Sequence, residues 1–423
     1  MAGMTWAAGK AAAKRVVGDL EKAQPFNEVL GKRIPFNGKL KRLGQSFNIP
    51  VVMQPPNGVT YIGKDPTPSS LLAGRPMSIQ EAIAYSYELD VMEQTPWAVF
   101  ERMKGGESSV EAYMAILMLF LKRTAQTRKE VSMLLGQYGL GTIDSVTDNT
   151  TYATLVITAA TWRGGLWWML GPGATLDSFT STTKNNATGP LILMGVNPTA
   201  RSIDVTFSGT LASEITAGDV LYPEGAYDGT THYDMPGLLV QNSNTTGTSL
   251  GLSATTYKNW AANTASVAGV FTEDAEEYYL GLLRNRGGKG KMTVYLPEPT
   301  WRDRVGQHGG KRVFDDSYTP NKQVAGEQEF DYSTKVYGRV EHELLSFLAD
   351  SEAMLQIDDN CTVVGARDCK LGIPSRLGDD VDAEGSNLLH VTGTNYGESY
   401  ATHDLGVVQR VPSSAMVLTG ITH

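Results

Sequence analysis

Apolar and polar positions change period several times along the chain. Residues 8–22 are Ala-rich and amphipathic, which predicts a short helix ended before Pro25. Ser46–Met53 reads as a strand, and Pro55-Pro56-Asn57-Gly58 is a strong turn signal. Pro66, Pro68 and Pro76 then punctuate a stretch flanked by two further strand patterns, Val59–Ile62 and Ile83–Glu93, the latter with Tyr85, Tyr87 and Leu89 alternating against polar neighbours. About twenty irregular residues between strands are unusual inside a compact domain, so this segment is expected to be a lid or to be ordered by another chain. The strongest helical pattern runs from 107 to 136. Ser108-x-x-Glu111 is a capping box, Val110, Met114, Leu117, Leu121, Ala125, Val131 and Leu135 recur near a 3.6 period, and Gly136 is a natural stop. At 1.5 Å per residue this is a rod about 40 Å long, the size of a spine.

Beyond Tyr152 the texture turns to strands. Tyr152–Thr158, Pro190–Val196, Ser202–Gly209 and Gly237–Gln241 alternate with Gly/Asn/Thr turns. A second helix is predicted at Glu273–Arg286, acidic in its first turn and basic in its last, as the helix dipole favours. Strand Lys291–Leu296, a short helix over Thr300–Val305, a mixed segment Tyr332–Leu348, and strands Asp404–Val411 and Ala415–Leu418 complete the pattern. There is no short internal repeat.

Composition narrows the class. The 423 residues suggest two to three domains, and 41% hydrophobic content excludes a disordered chain. The longest apolar run, Ala112–Leu121, is too short for a membrane span. The N-terminus lacks the pattern of a signal peptide, so folding in a cytoplasm is expected. The formal charge of −9 is unevenly placed. Residues 1–50 hold nine cations, Lys10, Lys14, Arg15, Lys22, Lys32, Arg33, Lys39, Lys41 and Arg42, against Asp19, Glu21 and Glu28, which leaves −15 for the remainder. A basic arm on an acidic body can bind polyanions through counterion release, lie on acidic neighbours, or stay solvated.

Candidate chemistry is sparse. Gly247-x-Ser249-x-Gly251 matches the nucleophile elbow but lacks a strand before the serine and a helix after it, so it reads as a polar turn. Gly287-Gly288-Lys289-Gly290 and Gly309-Gly310-Lys311 lack P-loop spacing. Six histidines are scattered (His232, His308, His342, His390, His403, His423), and Glu341-His342-Glu343 is no zinc-protease motif. Cys361 and Cys369 read as small buried hydrophobes. Asp315-Asp316, Asp358-Asp359 and Asp379-Asp380 read as solvated turns, with hard-cation binding as the alternative. Trp162, Trp167 and Trp168 are expected in a core or an interface. The sequons at Asn149, Asn186, Asn244 and Asn360 carry little weight without a signal peptide. No catalytic or metal residue and no cofactor is therefore assigned, and the chain is expected not to be an enzyme.

The order of elements, together with Phe47–Val51 running through Gly58–Tyr61, the helix from Ser109, Ala217–Leu221 followed by Pro236–Leu238, and Val294–Pro297 leading to Thr300-Trp301, resembles the major capsid proteins of tailed bacteriophages. That family has the HK-ninety-seven-like fold, an α+β architecture with an N-terminal arm, an extended loop, a long spine helix in a peripheral domain and a β-rich axial domain. The resemblance implies an arm over 1–45; strands over 46–93 flanking an extended loop at about 57–80; a spine region at 94–150; a β-rich and axial region at 151–330; and a return to the peripheral domain over 331–423. It implies a structural subunit that self-assembles through hexamers and pentamers into the icosahedral head around double-stranded DNA. Lys64, Pro66, Pro68, Leu71, Leu72 and Arg75 are then subunit-interface candidates, and Lys10, Lys14, Arg15, Lys39, Lys41 and Arg42 DNA-facing candidates. Lys64 sits in the loop where some members crosslink, but with no recognisable partner it reads as a solvated lysine. Only about 45 residues precede the first strand, so the resemblance implies a separate scaffolding protein, along with a portal protein and, in some members, a decoration protein. An encapsulin-type nanocompartment shell, a tail or receptor-binding β protein, and a hydrolase are the competing readings.

Overall fold

The computed structural model describes residues 29–37, 46–56, 59, 74, 76–96, 107–149, 151–186, 189–207, 214–288, 290–309, 331–334, 338–371, 389–390 and 396–423. The helix predicted at 8–22 and the strand predicted at Val59–Ile62 lie outside them, apart from Val59, which is in no strand.

A single helical turn, α1 (Leu30–Arg33), precedes a two-stranded antiparallel ribbon of β1 (Ser46–Gln54) and β2 (Ser78–Tyr85). The strand expected over Ile83–Glu93 is two strands. The chain breaks at Ser86, so that β2 pairs with β1 while β3 (Tyr87–Pro96) joins a different sheet. Alternation continues across the break, which is why periodicity could not show it. The spine helix α2 (Glu107–Leu135) has 29 residues, about 44 Å. It stops at Gly136, where a Cβ would lie 2.1 Å from the carbonyl oxygen of Met235.

Next come β4 (Gly141–Asp148), β5 (Ala153–Ile157), helix α3 (Gly164–Leu170), β6 (Thr175–Thr180), β7 (Thr183–Lys184), β8 (Leu191–Asn197), β9 (Ser202–Thr206) and β10 (Val220–Pro223). They form one antiparallel sheet that closes on itself, because β10 pairs with both β4 and β6. Closure removes the exposed edges that an open sheet of this size would carry. Leu155, Leu176, Leu191, Leu193, Ile203, Val205 and Leu221 are buried in this unit, in one core with Leu134 and Leu135 of the spine and with Trp162 and Trp167. Trp168 points outward, 65% exposed, since the turn of α3 that buries Trp167 must expose its neighbour.

The chain continues through helix α4 (Leu238–Asn242), the hairpin β11 (Thr248–Ser249) and β12 (Leu252–Ser253), and β13 (Asn263–Gly269). Gly237–Gln241, expected as a strand, is largely α4. Its apolar run is short enough to fit either state, and packing of Leu238 and Leu239 under the spine decides it. Helix α5 (Glu273–Asn285) has Thr272 as N-cap, its hydroxyl accepting from the Ala275 N–H. β14 (Met292–Leu296) is followed by α6 (Glu298–Gly309), longer than expected, then β15 (Asp331–Thr334), β16 (Gly338–Leu344), β17 (Ala353–Ile357), β18 (Cys361–Leu371), β19 (Leu389–His390), β20 (Tyr396–Gln409) and β21 (Met416–Ile421). A six-stranded mixed sheet runs β13-β21-β17-β14-β16-β15 and packs a second core with α5 and α6. At its centre Glu276 accepts from Arg304 and contacts His342, all three buried, so each charge has a partner. The last sheet sets β18 and β19 on one side of β20 and β3 on the other, against the spine.

Candidate assembly surfaces

Two segments outside the main sheets bear on how the units are held together and on which surface is left exposed. The first is the strap 29–37. Leu30 and Ile34 are 0% and 1% exposed, pegged into the spine-helix core. The backbone N–H groups of Leu30 and Gly31 donate to the buried carboxylate of Glu130, at 3.2 and 2.7 Å, which satisfies the first turn of α1. Arg33 then reaches the six-stranded sheet, with Nη1 3.0 Å from Glu341 and 3.6 Å from Asp358, and Nη2 on Glu343. Finally the Asn37 N–H donates to the Val363 carbonyl, and the Val363 N–H donates to Pro35. Nine residues thus tie the spine, the six-stranded sheet and β18 together. Although burial by itself would raise its pKa, hydrogen bonds from Lys291 and Arg33 hold the Glu341 carboxyl below the ordinary value.

The second is the β1–β2 ribbon. Its inner side is anchored: Phe47 and Ala84 pack on Val364 and Val408, and Met53 and Ala82 on Leu252 and Trp260. Pro50 is tolerated because β1 has a partner on one side only among the described residues. The outer side carries Val52 and Ile79, register partners that are 55% and 50% exposed, with Met77 beside them at 49%. Val52 and Ile79 thus form a cross-strand apolar pair exposed on this side of the ribbon.

A third feature is a cleft of about 460 Å³ between β3, the spine and the turn 223–234. Ser132 donates to Asp234 at 2.8 Å, and the Asp234 carboxyl also accepts from the Met235 N–H. Burial pushes that carboxyl up to about 6, against the opposing effect of these hydrogen bonds and of nearby Arg128. His403, 1% exposed, is driven down to about 4, first by burial and then by the charge of Lys129.

The residues singled out from sequence fall as follows. All the interface candidates (Lys64, Pro66, Pro68, Leu71, Leu72, Arg75) and all the DNA-facing candidates (Lys10, Lys14, Arg15, Lys39, Lys41, Arg42) lie outside the described residues. Ser249 is in a two-residue strand of a hairpin, its carbonyl accepting from the indole of Trp260, and no helix follows it. Asp358, expected in a solvated turn, is instead an acceptor hub for Thr293, Tyr295 and Gln356. Cys361 is buried, and burial raises its thiol pKa well above the ordinary value, which suits a small hydrophobe. Among the described residues no three His, Cys, Asp or Glu side chains gather as a metal site. Sequence reasoning missed the roles of Arg33, Glu130 and Asp358; nothing local distinguishes Arg33 from the other eight cations of the arm.

Compared with solved structures, the chain superposes over 95% of its length on 95% of a chain from the cyanophage A-1(L) capsid asymmetric unit, at 12% identity and a TM-score of 0.53. This is the HK-ninety-seven-like capsid fold. The capsid of a native GTA particle matches with 10% identity, 94% and 93% coverage and a TM-score of 0.45. Mycobacterium phage Adephagia gives 10% identity, 94% and 91% coverage and a TM-score of 0.43. No family model and no curated sequence matches the chain. No helix among the described residues is long and apolar enough to cross a membrane.

Proposed function

We propose that this chain is a structural, non-enzymatic shell subunit, the major capsid protein of a tailed phage, which self-assembles into an icosahedral head around double-stranded DNA and resides in the virion. The observation that carries the reading is a capsid fold matched over 95% of the chain, together with a ribbon on which Val52, Ile79 and Met77 are exposed. A neighbouring subunit is the natural cover for that patch. The spine α2 with the β3–β18–β19–β20 sheet would be the peripheral unit, and the six-stranded sheet with α5 and α6 the axial unit around five- and six-fold axes. That axial unit draws on 263–357 and 416–421 rather than on one continuous stretch. A separate scaffolding protein and a portal protein are further partners in this reading, with a decoration protein as an optional one. Lys64 to Arg75 would lie over a neighbour, and the arm cations would meet DNA or a neighbouring subunit.

Electron microscopy of the purified chain, alone and co-expressed with a scaffolding protein, tests this. Closed shells are expected, and Val52→Asp with Ile79→Asp should leave the monomer folded by circular dichroism yet abolish closure. Monomers or open trimers under all conditions would overturn the reading.

A further inference from the structure

A second, larger cleft of about 800 Å³ opens at the C-terminal end of α5, beside the start of β13. Leu282, Asn285 and Arg286 of the helix form one wall, and Lys258 lies on the other. The floor is pinned in place. Nδ2 of Asn263 donates to the carbonyls of Ser413 and Ala415 at 2.8 and 2.9 Å, and Nδ2 of Asn259 donates to the Met53 carbonyl at 3.3 Å. No carboxylate lines this cleft, whereas two exposed cations do, Lys258 and Arg286, and neither is in an ion pair among the described residues. Exposed cations beside apolar Leu282 suit an anionic partner that carries apolar surface next to its charge.

The opposite end of α5 has that chemistry. Its first turns hold exposed Asp274 and half-buried Glu277, with Tyr278, 63% exposed, on the same face at a spacing of three and four residues. Resting on the shell reading, we propose that the cleft takes the acidic start of α5 from a second copy, with Asp274 and Glu277 over Lys258 and Arg286 and Tyr278 against Leu282. The helix excludes its own chain as the donor. Its 13 residues hold the two ends about 18 Å apart. The Thr272 cap and the burial of Tyr279, Leu280 and Leu283 in the second core keep it from folding back. A helical turn about 10–12 Å across fills roughly 400–600 Å³, which the cleft admits. A contact between opposite ends of one helix in two copies is head-to-tail, and such contacts repeat until they close a ring. Rings are what the five- and six-fold axes of a shell require.

The test uses the full-length chain. Lys258→Glu with Arg286→Glu, and separately Asp274→Lys with Glu277→Lys, should each lower the yield of closed shells at least tenfold while leaving the thermal unfolding midpoint nearly unchanged. All four changes in one chain should restore the yield, since opposite charges face each other again, whereas merely structural damage would accumulate. A chain carrying Asp274→Cys and Asn285→Cys, mildly oxidised after assembly, should give a ladder of covalent oligomers ending at closed rings, with 274–285 linked peptides in mass spectrometry. If a reversed variant fails to fold, the crosslink decides alone. Normal closure of both reversed variants, no recovery in the combined one, or shells without the crosslink overturn this inference and leave the shell reading intact. Failure of the unmodified chain to form shells overturns both.

Discussion

At the residue scale, Asp234 and His403 flank one cleft and pull stability in opposite directions with pH. Asp234 holds its proton more tightly folded than unfolded, so between about pH 4 and 6 the native state binds more protons and stability falls as pH rises. His403 is the reverse case. Its folded pKa is depressed to about 4, so between about 4 and 6.5 the unfolded chain binds more protons and stability rises with pH. Each effect is worth on the order of 2–3 kcal/mol. The intact chain should therefore show a nearly flat urea midpoint from pH 4 to 6.5. Asp234→Asn should give a midpoint that climbs across that window, and His403→Gln one that falls. Slopes of the same sign in both variants would show that one of the two groups is not held as described: Asp234 if both climb, His403 if both fall.

At the element scale, the spine is fixed by close backbone contact at its C-terminal end. The Gly237 N–H donates to the Gly136 carbonyl at 2.8 Å, and a Cβ on Gly237 would lie 2.5 Å from the Leu134 oxygen. Gly136→Ala and Gly237→Ala should each cost about 2–4 kcal/mol, because backbone, unlike a side-chain tip, cannot step aside. Gly281→Ala, on α5 with nothing within 4 Å, is the control and should be neutral or slightly stabilising. Thermal unfolding of the three variants checks the ordering. The spine itself was legible in sequence to within a residue, since its period, its length and its glycine stop agree. The break at Ser86 and the helical state of Leu238–Asn242 were not, because both depend on which distant element covers the segment.

At the scale of the whole molecule, residues 29–37 are part of the fold, pegged by Leu30 and Ile34 and clasped by Arg33. Removing residues 1–28 should leave the unfolding midpoint nearly unchanged while impairing shell formation. Removing 1–37 should lower stability by several kcal/mol, since two fully buried aliphatic side chains and the cation facing three carboxylates are lost together. Denaturant titration combined with microscopy separates these outcomes, and equal stability of the two truncations would show that the strap does not hold the units together.

Sequence by itself determined what depends on neighbours along the chain: the spine helix, the acidic-start helix α5, most strands, the proline-punctuated interruption between β1 and β2, and the excess of basic side chains over residues 1–50 against an acidic remainder. Tertiary structure alone decided what depends on residues far apart meeting. It closed β10 onto both β4 and β6, chose Arg33 from nine similar cations by placing Glu341, Glu343 and Asp358 around it, and left one edge of β3 open over a cleft. The reason is physical: periodicity and capping are local free energies written into consecutive residues, whereas closure, charge pairing and open edges arise only when segments a hundred or more residues apart are brought to contact distance.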